Sequence, residues 1–160
     1  MRKTLVPTLF AFGLLLAAGT ARASHYAVAD VPRIITPAQV EKLHKGKIET
    51  TEQLLDKGAK ARDRQALAKA TGLKPAELLE LVHRADLLRI KGVGSEMVLL
   101  LEAAGVKSTA DLVTKDPAAL TEATNSANKI AKISEKPPTE PQLADWIAQA
   151  KKLPQVVEGK

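Results

Sequence analysis

The chain of 160 residues contains no cysteine. Disulfides, lipoprotein attachment, thiolate chemistry and cysteine-ligated zinc are thereby excluded, so the fold must stand on packing alone. Aromatic residues amount to 2% of the chain, with a single Trp. Runs that alternate apolar and polar residues, the mark of a half-buried strand, are missing too, whereas Ala, Leu, Lys and Glu abound, which favours helix. The catalytic signatures are absent as well: there is no G-x-S-x-G, no Walker loop, no zinc signature and no close pair of acids on a motif. His25, His44 and His83 are scattered, without acidic partners at a metal-binding spacing, and are expected at surfaces or helix boundaries. These absences predict a protein that is not an enzyme and has no metal or cofactor.

What is present begins with a leader. Met1-Arg2-Lys3 precedes an apolar stretch from Leu5 to Ala18, and Ala21 and Ala23 stand in an A-x-A frame. A basic start, a hydrophobic stretch too short to span a bilayer comfortably and a small-residue cleavage frame describe a signal peptide over residues 1–23. Export to the periplasm or the extracellular space follows, with no stable membrane span after cleavage. The formal net charge of +6 drops to +3 once Arg2, Lys3 and Arg22 depart, since no acidic residue leaves with them. The cations that crowd the first half (Lys42, Lys45, Lys47, Lys57, Lys60, Arg62, Arg64 and Lys69) alternate with acids and read as solvated helix surface.

A hydrophobic content of 45% suffices for one packed core in a chain of this length. Residues 24–32 read as a linker, 33–154 as one compact helical domain and 155–160 as a tail. Within the domain the apolar pattern is written twice, about 33–88 and 89–154. A shift of 58 pairs Val40 with Val98, Leu43 with Leu101, Ile48 with Val106, Thr50 with Ser108, Thr51 with Thr109, Leu54 with Leu112 and Leu55 with Val113. A shift of 65 pairs Leu78, Leu81, Val82, Ala85 and Leu88 with Leu143, Trp146, Ile147, Ala150 and Leu153, each set forming one helical stripe. Trp146 is therefore expected in the core, at the position that Leu81 fills in the first half. The seven residues that separate the two shifts are expected in the polar stretch from Asn125 to Pro138. Punctuation agrees: Thr50, Ser108 and Thr139 open capping patterns, Asp116-Pro117 starts a helix, and Gly72 and Gly105 follow helical runs. Each half reads as an opening helix, a short capped helix, a connecting helix and a long closing helix.

Between the halves, Leu87 to Leu101 reads as a helix end, a Gly92-Val93-Gly94 turn and a new helix, a helix-hairpin-helix signature. Both glycines are expected where a sharp turn needs a small residue. Such a turn aims backbone amides and a helix N-terminus outward, so Arg89, Lys91, Gly92, Val93, Gly94 and Ser95 form a candidate phosphate-binding hairpin. It lacks the later glycine and the preceding strand that dinucleotide binding requires.

The run Ile90-Lys91-Gly92-Val93-Gly94, then Leu100 to Val106, Thr109-Ala110-Asp111-Leu112 and Asp116 to Leu120, together with Pro141, Leu143, Trp146 and Ala150, resembles the bacterial domain of unknown function 4332. The resemblance spans residues 33 to 154. It implies an all-helical, tandem helix-hairpin-helix-like fold and carries no activity. The wider helix-hairpin-helix group, similar at the hairpin, grips nucleic-acid backbones without reading sequence. Here, however, Glu96 stands where a phosphate grip favours Lys or Arg, and Ile34-Ile35-Thr36 replaces the glycines in the first half. The expected function is thus an exported, non-enzymatic module that binds another macromolecule, a protein in first place, with sequence-independent DNA binding through Gly92-Val93-Gly94 as the alternative.

Overall fold

A computed structural model describes residues 25–159. The signal peptide expected over 1–23 and its cleavage site lie outside the described residues. Helix starts follow the capping chemistry of the chain. Thr36 caps α1 (Pro37–Lys45) through a reciprocal capping box with Gln39. The Thr50 side chain accepts from the Gln53 amide at the start of α2 (Thr51–Gly58), and α3 spans Ala61–Thr71, closed by Gly72 in the left-handed conformation. Pro75 opens α4 (Pro75–Leu87). In the second half Gly94 precedes α5 (Ser95–Ala103), Ser108 caps α6 (Thr109–Leu112), Asp116 caps α7 (Pro117–Ala131), and Thr139 with Gln142 opens α8 (Glu140–Lys152). The fold is all-α: the described residues hold these eight helices, a short 3-10 turn at Val28–Asp30 and one isolated bridge between Ala27 and Thr50, with no strand.

Helix positions coincide under the two shifts. The shorter shift carries the start of α1, Pro37, onto that of α5, Ser95, and the start of α2, Thr51, onto that of α6, Thr109. The longer shift carries α4 onto α8, which span 13 residues each. Between opening and capped helix the turns match bond for bond: Ile48 N–H donates to Leu43 O and Val106 N–H to Leu101 O. Glu49 N–H donates to Gln53 and Lys107 N–H to Asp111. Lys47 and Gly105, paired by the same shorter shift, both have positive φ, 58° and 83°. At these positions α1 packs on α3 and α5 on α7, α2 on α4 and α6 on α8, and α3 on α4 and α7 on α8, while α2 also packs on α3. The core draws on both stripes: Leu78, Leu81, Val82, Ala85 and Leu88 are buried, as are Leu143, Trp146, Ile147 and Ala150.

Three expectations need correction. Residues 25–32 do not behave as a linker, because Val28 and Val31 are buried in the core and Tyr26 exchanges two hydrogen bonds with Thr51. The extra residues of the second half are partly helical, making α7, with 15 residues, longer than the closing helix α8. Residues 154–159, expected mostly as a tail, form a strap without helix or strand that touches both halves, bonded to Ala59 in the first and to Arg89 and Thr109 in the second, with Val156 and Val157 packed against the core.

Candidate functional site

The Gly92-Val93-Gly94 turn is fastened to α8. Lys91 N–H donates to Gln149 Oε1 at 2.9 Å, and Gln149 Nε2 donates back to Lys91 O at 3.2 Å. The indole of Trp146 lies over Gly92, so close that a Cβ there would stand 3.1 Å from Nε1. Val93 is buried. Of the two glycines only Gly92 has a positive φ, 93°. Gly94 has φ −97° and open space where a Cβ would stand, so the expectation that it too must be small is corrected: its backbone is one that any residue adopts.

The charges of Arg89 and Glu96, on either side of the turn, are engaged within the chain. Arg89 Nη1 donates to Asp86 Oδ1 at 2.7 Å and to Pro154 O at 3.1 Å. The other oxygen of the buried Asp86 accepts from the Thr109 amide and hydroxyl at 2.9 and 2.7 Å, which anchors the start of α6. Glu96, in the first turn of α5, meets Arg33 at 2.6 Å; the Ser134 hydroxyl and then the Arg33 guanidinium hold its carboxyl below the usual carboxylate range. At that helix start the first intrahelical bond runs from Val98 N–H to Gly94 O, which leaves the amides of Ser95, Glu96 and Met97 ahead of the ladder. Of the candidate residues, Lys91 and Gly92 are exposed, Ser95 is half-buried, and the Arg89 side chain retains only 9% of its exposure.

Compared with known sequences, residues 33–153 match the family described as Domain of unknown function (DUF4332). The chain belongs to this family. No curated protein and no solved structure matches it. No described helix is long and apolar enough to cross a membrane, and no three His, Asp or Glu among the described residues group as metal ligands.

Two of the charged or titratable residues that this DUF4332 domain buries, Arg64 and His83, were not expected there. Arg64, read as part of a solvated cationic face, is 6% exposed. Its Nη1 donates to Gly58 O at 2.8 Å and Ala59 O at 2.7 Å, and its Nη2 to Glu158 O. Burial lowers its pKa while Glu158 opposes the shift. His83, expected at the surface or a helix boundary, sits inside α4 and is buried. Burial pushes its imidazole below the usual range, against the opposing pull of the Gly159 backbone and the carboxylates of Asp111 and Asp86. The cover over both residues comes from the strap, up to 94 residues away along the chain. No local pattern announces it. His25 and His44 are outside the core and lie near Glu52 and Glu49 at 3.5 and 3.3 Å.

Proposed function

We propose that the chain is an exported, non-enzymatic helical module, built from two copies of one unit, that works by binding another macromolecule, in first place a protein. Export rests on the leader composition of residues 1–23, and the two-copy reading on the matched registers of 58 and 65. The observation that carries the binding reading is the occupancy of the hairpin: Gln149 takes the N–H and C=O of Lys91, and Asp86 with Pro154 O takes Arg89. The exposed Lys91 side chain is then the main cation the hairpin offers. Phosphate affinity grows with the number of such contacts, so one or two leave duplex DNA weakly held. Glu96 at the start of α5 opposes a phosphate further.

The alternative, sequence-independent DNA binding, draws on the amides of Ser95 to Met97. A fluorescence anisotropy titration of duplex DNA with residues 24–160 separates the readings. The protein reading expects binding weaker than about 100 μM at physiological salt, at or beyond the weak end of non-specific DNA binding. Micromolar affinity that falls with salt and with Lys91→Glu, the fold retained, would transfer the function to DNA. For export, the intact mass of the protein from its source cell is expected to begin at Ser24; recovery of the full 17.1 kDa chain from membranes would contradict it.

A further inference from the structure

The strap 154–159 is gripped mainly through its backbone. It leaves α8 extended, with Leu153 at φ −82° and ψ 138°. Pro154 O accepts from Arg89 at 3.1 Å, Glu158 N–H donates to Ala59 O at 2.8 Å, and Glu158 O accepts from the buried Arg64. Two side chains add to this grip: Gln155 Oε1 accepts from the Thr109 hydroxyl at 3.2 Å, and Glu158 Oε2 accepts from the Ala61 amide at 3.1 Å, at the N-terminus of α3, where the helix dipole favours a carboxylate. Val156 and Val157 rest half-buried against the core.

The groove is wider than the strap. On one flank lies a cavity of about 470 Å³ bordered by His83, Asp86, Lys107, Ser108 and Asp111. On the other lies one of about 660 Å³ bordered by His25, Glu52, Asp56 and Lys60. Main-chain bonds to an extended segment, with neighbouring space for its side chains, are the means by which receptors hold extended peptides.

We propose that this groove receives an extended peptide segment of a partner protein, two apolar residues followed by glutamate and glycine, and that residues 154–159 are an internal occupant which such a segment displaces. The chemistry of the partner is read from what the groove already holds: a carboxylate for the start of α3, an acceptor carbonyl for Arg64 and apolar side chains for the core. This inference rests on the protein-binding reading above.

The probe is a labelled peptide of residues 154–160, Pro-Gln-Val-Val-Glu-Gly-Lys, titrated against the whole chain. In the unmodified chain the tethered strap competes at an effective concentration on the order of millimolar. Loosening it with Val157→Ser and Glu158→Ala is expected to tighten peptide binding at least tenfold. A peptide with Lys in place of its glutamate is expected to lose at least tenfold on the same variant. Absence of binding to a variant that keeps its helical circular dichroism, or equal binding of the Lys peptide, would overturn the proposal. So would collapse of the variant, which would make the strap part of the fold itself. Hydrogen exchange on the unmodified chain gives a second measurement: the Glu158 amide is expected to exchange at least a hundredfold faster than that of Val82, through local opening of the strap. Equal protection would overturn the proposal as well. The DNA titration judges the protein-binding reading separately, so failure of this groove is distinguishable from failure of that reading.

Discussion

In the first half the closing helix reaches the turn before α1 through Arg84, whose Nη1 donates to Ile34 O at 2.8 Å while its Nε holds Glu102. In the second half its counterpart on α8, Gln149, reaches the turn before α5 and bonds both the C=O and the N–H of Lys91. The fastening of turn to closing helix is common to both halves; the glycines are not. Ile34 stands where the second half has Gly92 and is buried, and Thr36, with a full capping box, stands where Gly94 has no side chain to cap with. A pair of glycines is therefore not what such a turn needs in order to be fastened to its closing helix. Gly92 answers a local demand, the indole of Trp146 lying over a backbone at φ 93°. The comparison teaches that this turn is first of all a joint.

The largest expected effect tests whether the closing helices carry equivalent parts of the core. Leu81 and Trp146 hold matching places in the two stripes and are 0% and 4% exposed. Leu81→Ala is expected to cost about 2 to 5 kcal/mol and Trp146→Ala about 3 to 5 kcal/mol of unfolding free energy in denaturant titrations, each a large share of a small domain's stability. A Trp146→Ala chain that melts at the unmodified temperature would remove Trp146 from the core and end the equivalence.

A smaller effect sharpens the asymmetry between α4 and α8. His83 is buried, whereas Ala148, its counterpart on α8, is exposed, because the strap covers α4 and nothing described covers that face of α8. Burial lowers the pKa of His83 in the folded chain below 6.5. In the window between that lowered value and about 6.5 the unfolded chain binds a proton that the folded chain does not, so the stability His83 contributes is full above that window and is lost as pH falls through it. The denaturant midpoint should accordingly fall from pH 7.5 to 5.5, and His83→Gln should fall less. Parallel slopes for the two chains would mean that His83 titrates alike in both states.

Much of this fold is legible in local chemistry. Thr50, Ser108 and Asp116 cap the helices expected of them, Gly72 and Gly105 take the left-handed conformation, and each closing helix carries its stripe inward. What local chemistry hides is set by distant parts of the chain. Arg64 lies among cations that look solvated, and its burial depends on a strap joined to the far end of α8. Lys47 adopts the positive φ that Gly105 adopts in the second half, and nothing in a lysine announces that conformation. The candidate hairpin was legible as a turn between helices. Its closure was not, because Gln149 lies far beyond Lys91 along the chain and reads as one more polar residue on an amphipathic helix.

The claim that the turn is a joint held by α8 is tested most directly by unfolding Gly92→Ala and Gly94→Ala side by side in denaturant. A joint fitted to Trp146 predicts that Gly92→Ala loses about 1 to 3 kcal/mol, from strain at positive φ, and shifts the Trp146 emission as the new methyl presses on the indole. It predicts that Gly94→Ala stays within about 0.5 kcal/mol of the unmodified chain, since its backbone suits alanine and its Cβ meets nothing within 4 Å. A neutral Gly92→Ala with unchanged emission, or equal losses at the two glycines, would contradict the account.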